Sequence, residues 1–302
     1  MKIIYIMGAA HSGSTVLNAV LGSHPDAVAV SELKDVVDDT WLHPKRCSCG
    51  AKADACSYWT SIGEHLSVSE GNDWMHEYKN LQKKYESLRN IPRLLRNKNG
   101  NKSNAFLTYE RQTKALFEAI AQVSGKKIIV DASKTPARAL ALSRFQGIDL
   151  VTIHLVRDGR AVAWSRMKKQ SRRDGARAPS EQHAAGYTVL CKWIIVNMLC
   201  EWVTRRIGTR CIRLRYEDFV SSPAETLNSI GETANIDYQC VVDGISNHET
   251  IDFGHIVSGN RVRRHNGIVL KADTEWLGAL PKQINRLFGL LAGPLKTRYR
   301  YF

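Results

Sequence analysis

A short apolar segment at the start of the chain runs directly into a turn of small residues and then into a helical pattern. Residues 3–7 are continuously apolar and rich in β-branched side chains, which is typical of a strand buried on both faces of a parallel sheet. Apolar residues recur at helical spacing over 16–21, and the turn 8–15 between them has the sequence GAAHSGST. This arrangement predicts an anion site, because the free N–H groups of the first helical turn point to one spot where the helix dipole favours negative charge.

The turn differs at one position from the nucleotide-phosphate motif G-x-x-x-x-G-K-[ST]. Gly8 and Gly13 have the spacing of the motif and Thr15 is present, but Ser14 stands where the motif has lysine. That lysine normally reaches the β- and γ-phosphates, so its absence argues against an ATP or GTP hydrolase. The turn could simply join a strand to a helix, but its complete context on both sides favours the binding of a single phosphate group.

The chain carries a strong positive charge. Its 302 residues include 43 Lys and Arg against 29 Asp and Glu, which gives a net charge of +14. This balance predicts an anionic partner, which can be a nucleic acid, a membrane surface or a small polyanion. The basic residues are scattered rather than gathered in one block, so most of them are explained as a solvated surface.

The amino-terminal sequence predicts a cytoplasmic protein. Met1 and Lys2 lead straight into the first strand pattern, with no signal-peptide layout, and no apolar stretch approaches the length of a membrane span. We therefore expect the seven cysteines to be mostly reduced. The length fits one α/β domain with insertions, or two domains.

Strand and helix patterns alternate along the chain. Further strands are predicted at 28–30, 128–130, 150–156 and 210–216, and helices at about 60–125 and 181–206. This alternation predicts the α/β class with a mostly parallel sheet. Three local features are also predicted: a helix stop at Gly125, a mobile loop over residues 89–104, and a capping box over residues 222–225.

Polar residues follow the predicted strands at their carboxyl ends. Besides the turn at 8–15, these are Glu32, Lys134, Arg157 and Tyr216. Each one alone is explained as a surface charge or a helix-capping ion pair. Because the carboxyl ends of parallel strands converge on one crevice, together they predict a site for a ligand with two separated anionic groups.

Three cysteines lie in the irregular segment at about 40–60. They are Cys47, Cys49 and Cys56, and His43 precedes the first of them by four positions. A zinc site formed by these four residues is conceivable, but the spacing fits no standard zinc finger. A disulfide and reduced packing cysteines are the favoured alternatives, and we expect no metal cofactor.

Three segments resemble the motifs of sulfotransferases that use 3′-phosphoadenosine 5′-phosphosulfate (PAPS). The turn at 8–15 resembles their 5′-phosphosulfate loop, residues 156–165 resemble their 3′-phosphate motif, and residues 215–219 match a third segment. The resemblance runs from the first strand to about residue 236, and more weakly to the C-terminus. It implies a P-loop-type three-layer fold, a single domain over residues 1–302, and acceptor-side insertions at about 40–125 and 170–190.

Roles for individual residues follow from this resemblance. The stretch from His24 to Glu32 is most similar to protein-tyrosine sulfotransferases and to a group of bacterial sulfotransferases, which implies that Glu32 is the catalytic base and that Lys134 assists the leaving group. His11 stands where the family usually has Lys or Arg, and a neutral imidazole donates one hydrogen bond without a fixed charge. The implied cofactor-binding residues are His11, Ser12, Gly13, Ser14, Thr15, Arg157, Ser165 and Tyr216, with Asn260 and Arg263 in a late loop that closes over the 3′-phosphate.

The expected activity is the transfer of a sulfuryl group from PAPS to a hydroxyl or amine. The acceptor is left open as a small molecule, glycan, lipid or peptide, and no specific nucleic acid is expected. One alternative is a P-loop kinase or NTPase without the usual lysine, for which Asp131 is the candidate magnesium ligand. The other alternative is a non-enzymatic binder of polyanions or nucleic acid.

Overall fold

A five-stranded parallel sheet forms the centre of the computed structural model. The described residues are 1–71, 73–96, 101–174, 179–208, 210–259 and 267–302, with no side chains described over 170–184. The strands are β1 (Lys2–Gly8), β2 (Ala27–Ser31), β3 (Ile128–Lys134), β4 (Asp149–Val156) and β5 (Arg210–Arg215). Their order is β2-β3-β1-β4-β5, and every pairing is parallel. The predicted fold class is therefore confirmed.

Helices cover both faces of the sheet. In chain order they are α1 (Ser14–Gly22), α2 (Ser57–Glu70), α3 (Trp74–Glu86), α4 (Ile91–Arg96), α5 (Asn104–Ser124), α6 (Pro136–Leu142), α7 (Gly159–Asp174), α8 (Pro179–Ile207), α9 (Tyr216–Ser221), α10 (Pro223–Ala234), α11 (Gln239–Ser246), α12 (Trp276–Ala279), α13 (Lys282–Leu291) and α14 (Gly293–Arg298). Among the described residues, no helix is long and apolar enough to cross a membrane.

Strand β1 contributes side chains to both main hydrophobic cores, because successive side chains of a strand point to opposite faces of the sheet. Ile3, Tyr5 and Met7 enter the core that α2 to α6 share with part of α8. Ile4 and Ile6 enter the opposite core, which is formed with α1, α10 and α11. All five side chains are fully buried, which agrees with the continuously apolar sequence of this strand.

Two local predictions about the insertion at 40–125 have different outcomes. Gly125 ends α5 in the left-handed conformation with φ 66°, as the helix-stop prediction required. The mobile loop predicted over 89–104 is wrong in part, because α4 (Ile91–Arg96) lies within it. Pro92 misled the prediction, since a proline in the first turn of a helix removes an N–H group that needs no partner there.

The predicted capping box at Ser222 is not formed. Ser222 is the N-cap residue of α10, but its side chain makes no capping hydrogen bond. The same residue also ends α9, where its N–H donates to the carbonyl of Asp218 at 2.8 Å. Its backbone conformation (φ −135°, ψ 67°) therefore has to satisfy two helices at once, and a proline follows it directly.

A buried ionic network lies beneath the carboxyl end of β3. The fully buried guanidinium of Arg138 donates from Nε to Asp131 Oδ2 at 2.9 Å and from Nη1 to Glu86 Oε1. Asp131 Oδ1 also accepts from the backbone N–H of Ser133 at 2.9 Å, and the hydroxyl of Tyr109 donates to Glu86 at 2.8 Å. The network therefore fixes the last residues of β3 to α3, α5 and α6.

Replacing Arg138 tests this role. Arg138→Met should lower the free energy of unfolding by about 3–5 kcal/mol, because two carboxylates lose their buried counter-charge. Urea unfolding measures the change. Arg286→Met on α13 is the matched control, since Arg286 is exposed and its loss should change stability by no more than about 0.5 kcal/mol. A loss of less than about 1 kcal/mol in Arg138→Met would contradict the structural role of the network.

Candidate active site

The polar residues that the sequence placed at strand ends lie side by side along one edge of the sheet. Glu32 follows β2, Lys134 ends β3, the turn 8–15 follows β1, Arg157 follows β4 and Tyr216 follows β5. Since the sheet order is β2-β3-β1-β4-β5, they form a row in that same order, with about 4.8 Å between neighbouring strands. A carboxylate and a lysine therefore flank the phosphate loop on one side, and an arginine flanks it on the other.

The turn 8–15, which we call the phosphate loop after its expected ligand, is tightly packed. Gly13 has φ 88°, and a Cβ atom there would lie 2.2 Å from the ring of Tyr216, so the position requires glycine. Ser12 is fully buried, and its hydroxyl has no hydrogen-bond partner in the described parts of the chain. Ser14 and Thr15 open α1 and are also buried. A buried hydroxyl without a partner beside a helix N-terminus fits an anionic ligand.

Glu32 and Lys134 form an ion pair at this edge. Lys134 Nζ lies 2.5 Å from Glu32 Oε1, and only 13% of the Glu32 side chain and 16% of the Lys134 side chain are exposed. Lys34 Nζ lies 3.7 Å from the second carboxylate oxygen. The pair joins the ends of β2 and β3, which are adjacent strands at this edge of the sheet.

The backbone at this edge is strained. Ser31 (φ 57°), Lys134 (φ 66°) and His11 (φ 67°) are non-glycine residues with positive φ. The β2–β3 ladder also loses its regular register between Ala29 and Ser31. Such conformations cost free energy and persist where the surrounding structure holds them, often at functional sites. Here they occur at the ends of β2 and β3 and within the phosphate loop itself.

Arg157 is held in three ways on the other side of the loop. Its Nη1 donates to the carbonyl of His11 at 3.2 Å, its Nη2 donates to Asp273 Oδ2 at 2.8 Å, and its guanidinium lies over the Tyr216 ring at 4.6 Å. Asp273 was missed by sequence reasoning, because it is 116 residues away and no local motif marks it. The contact shows that the Nη2 edge of Arg157 pairs with a carboxylate, and 44% of the Asp273 side chain is exposed.

His11, a residue of the phosphate loop, contacts α7. Its Nδ1 is 3.2 Å from the hydroxyl of Ser165, so the structure brings these two predicted residues together. Burial lowers the pKa of His11 to about 4, and four nearby cations act in the same direction. These cations are Lys169, Arg166, Lys134 and Arg157. At neutral pH the imidazole of the free protein is therefore neutral.

The remaining predicted residues have different outcomes. Asn260 and Arg263 lie outside the described residues, so their role stays a prediction. Asp131, the candidate magnesium ligand of the kinase alternative, is fully buried and paired with Arg138. It does not face the crevice, and the kinase alternative loses its metal ligand.

The three cysteines come together, but not with His43. The four-residue group consists of Cys47, Cys49, Cys56 and His255. His43 is mostly exposed and pairs with Asp38 at 3.4 Å, so its proposed part in a metal site is wrong. His255 follows Cys56 by 199 residues, and no local pattern could have marked it.

The fold and the site together define a P-loop-type group-transfer protein that lacks the usual lysine. The sequence matches the model of the Sulfotransferase family over residues 4–239. The chain belongs to this family, which is a family of enzymes.

Solved structures give further similarities. The sulfotransferase domain from the curacin biosynthetic pathway is 16% identical, with 96% of this chain and 97% of that chain covered and a TM-score of 0.49. The sulfotransferase domain of the Synechococcus PCC 7002 olefin synthase is 16% identical, with 96% and 94% covered and a TM-score of 0.45. Sulfotransferase STF9 from Mycobacterium avium is 14% identical, with 96% and 75% covered and a TM-score of 0.46. The search of curated proteins found no match.

The protonation of His11 is testable. An unfolded histidine binds a proton near pH 6.5, whereas His11 in the folded chain binds one only near its pKa of about 4. Its contribution to stability is therefore complete above pH 6.5 and is lost as the pH falls from 6.5 through 4. An NMR titration should give a midpoint near 4 for the free protein, and inorganic phosphate should raise it, because a nearby anion favours the imidazolium.

The variant His11→Gln provides the control for that titration. It removes the resonance of His11 and so assigns it. It should also reduce the loss of stability between pH 6.5 and 4 without abolishing it, because burial lowers the pKa of His154 to about 4 as well. A midpoint at or above 6.5 in the free protein would contradict the burial of a neutral His11.

Proposed function

We propose that this enzyme transfers the sulfuryl group of PAPS to a hydroxyl or amine of an acceptor. The observation that carries the proposal is the row of groups along the sheet edge. The Glu32–Lys134 pair lies on one side of the phosphate loop, and Arg157 lies on the other. A donor with a 5′-phosphosulfate and a 3′-phosphate has two separate anionic groups, which suits a loop and an arginine that follow adjacent strands.

The donor would be held by the start of α1 and by Arg157, where its 3′-phosphate would replace the carboxylate of Asp273. The N–H groups at the start of α1 and the unpartnered Ser12 hydroxyl suit the 5′-phosphosulfate. Arg157 and Ser165 suit the 3′-phosphate, as the family resemblance implies. The Tyr216 ring packs against both Gly13 and Arg157, so it fixes the distance between the two anion sites.

Glu32 and Lys134 supply the proton and charge chemistry. An acceptor hydroxyl loses its proton as it attacks, and the Glu32 carboxylate is the base that accepts it. Once Glu32 is neutral, Lys134 is released from its ion pair. It can then stabilise the negative charge that develops on the leaving phosphate oxygen, together with the N–H groups of Ser12 to Thr15. Neutral His11 adds one hydrogen bond at most.

The acceptor remains the open part of the proposal. A screen of hydroxyl- and amine-bearing compounds with PAPS labelled on sulfur is the experiment that identifies it. Family membership argues against a purely non-enzymatic polyanion binder. The charge of +14 is then explained in part by cations around an anionic donor.

Glu32→Gln tests the base. The change keeps the shape of the side chain and removes the proton acceptor, so turnover should fall by roughly 10²–10⁴. Binding of adenosine 3′,5′-bisphosphate, measured by calorimetry, should stay near wild type. Asp35→Asn is the matched control, because this carboxylate lies on the same turn but is about half exposed and pairs with Lys34. If Glu32→Gln keeps more than about a tenth of the turnover, Glu32 is not the base.

Arg157→Ala tests the donor site. It should weaken binding of adenosine 3′,5′-bisphosphate by about 1.5–3 kcal/mol, the scale of a charge-assisted hydrogen bond. Adenosine 5′-phosphosulfate, which has no 3′-phosphate, should lose far less. Arg206→Ala is a control of equal charge, since Arg206 is exposed near the end of α8 that leads to the opposite edge of the sheet.

Two results of the same measurement would count against the donor assignment. An equal loss for both ligands would mean that Arg157 does not contact the 3′-phosphate. Wild-type binding of ATP with Mg²⁺ as tight as that of adenosine 3′,5′-bisphosphate would favour the kinase alternative instead.

A further inference from the structure

Three thiols and one imidazole meet outside the candidate active site. Cys56 Sγ lies 3.8 Å from Cys47 Sγ and 3.7 Å from Cys49 Sγ. His255 Nδ1 lies 3.2 Å from Cys56 Sγ and 3.9 Å from Cys47 Sγ. All four atoms lie within 4.8 Å of one another.

These distances match the edges of a zinc tetrahedron. With Zn–S near 2.3 Å and Zn–N near 2.0 Å, tetrahedral angles place two sulfurs about 3.8 Å apart and a sulfur and a nitrogen about 3.5 Å apart. A disulfide requires an S–S distance of about 2 Å, so neither measured sulfur pair has disulfide geometry. Three soft thiolates and an imidazole are also the ligand types that zinc prefers.

The backbone around the cysteines places their thiols together. Cys47 and Cys49 lie in a tight turn in which Gly50 N–H donates to the Cys47 carbonyl at 3.0 Å, and Gly50 has φ 94°. The Cys47 N–H donates to the carbonyl of Ala51 at 2.8 Å, which closes the turn. Cys56 is the N-cap residue of α2, a short distance further along the chain. Two thiols from a turn and one from a helix start thus face the same point.

His255 is oriented toward the thiols by its neighbours. The Tyr58 ring stacks on the imidazole with centroids 4.9 Å apart and planes 9° apart. The indole N–H of Trp59 donates to the His255 carbonyl at 2.9 Å. A histidine that is held in place from both its ring and its backbone is prepared to be a ligand.

We propose that Cys47, Cys49, Cys56 and His255 bind one structural Zn²⁺ ion. All four ligands come from the protein, so no coordination position is left for a substrate, and the ion stabilises the fold rather than taking part in the transfer reaction. The inference is independent of the proposed function, because it rests on the cluster alone.

The zinc site would anchor the segment that leads to the active site. Two hydrogen bonds join Ser48 to Ile256. The backbone N–H of Ser48 donates to the Ile256 carbonyl at 2.9 Å, and the backbone N–H of Ile256 donates to the Ser48 hydroxyl at 2.8 Å. Two residues further on, the Ser258 carbonyl accepts from the Ser31 hydroxyl at 3.0 Å. A Cβ on Gly259 would lie 2.9 Å from Ser31 Oγ, so this backbone packs tightly beside the residue that precedes Glu32.

Metal analysis of the purified, untagged protein tests the site. Wild type should carry about one zinc ion per chain by mass spectrometry, and Cys56→Ser and His255→Asn should lose most of it. His43→Asn and Cys240→Ser are matched controls, since His43 pairs with Asp38 and Cys240 is an exposed cysteine outside the cluster. Both controls should keep the wild-type zinc content.

A second measurement keeps the test decisive if the variants fail to fold. Addition of Co²⁺ to wild type after chelation of its metal should produce thiolate-to-cobalt charge transfer and the intense visible bands of tetrahedral cobalt. Chelation should also lower the melting temperature of wild type. Activity is not needed for any of these measurements.

Three results would overturn the proposal. The first is the absence of both bound zinc and a tetrahedral cobalt spectrum in wild-type protein that was produced in zinc-supplemented medium. The second is wild-type zinc content in folded Cys56→Ser or His255→Asn. The third is a disulfide between two of these three cysteines. It would appear in the protein without reductant as a mass lower by two hydrogens that maps to those two residues.

Discussion

The parallel pairing of β1 with both β3 and β4 is the constraint on which the rest of the structure depends. It places the phosphate loop at the centre of the sheet edge, between the ends of the two neighbouring strands. Because every strand runs in the same direction, the residue that follows each one emerges on that same edge. A row of charged and polar groups then results from strand order alone, although these groups are scattered from residue 11 to residue 216 of the chain.

The ion pair between Glu32 and Lys134 needs a rigid support, because Lys134 itself and Ser31, which precedes Glu32, have positive φ. The support is the buried network below it, in which Asp131 and Ser133 of β3 are tied to Arg138. The Ser133 hydroxyl also accepts from the backbone N–H of Lys34 at 3.0 Å, so the turn after β2 is fixed to the end of β3. Removal of the fully buried Arg138 would leave two buried carboxylates unpaired, so the network holds in place the end of β3 that carries Lys134.

The parts of this structure that local sequence patterns encode could be predicted, and the parts that depend on distant partners could not. Continuous apolar runs identified β1 to β4, and the separate apolar positions of the segment 210–216 identified β5. The residues after the strands identified Glu32, Lys134 and Arg157 as groups at one edge of the sheet. The partners Asp273 and His255 lie more than a hundred residues from the groups they contact, and no spacing rule connects them. The capping box failed for a related reason, since Ser222 satisfies two helices and a four-residue motif describes only one of them.

The neutral state of His11 follows from the charge around it. Burial disfavours the imidazolium, and Lys134, Arg157 and two cations of α7 add to this effect. The field that keeps the proton off His11 is the same field that attracts an anionic donor. A fifth cation at position 11 would increase the repulsion among these groups in the free protein. The histidine therefore lets the loop keep a hydrogen-bonding side chain at this position, while the positive charge that the family usually places there is supplied by neighbouring elements.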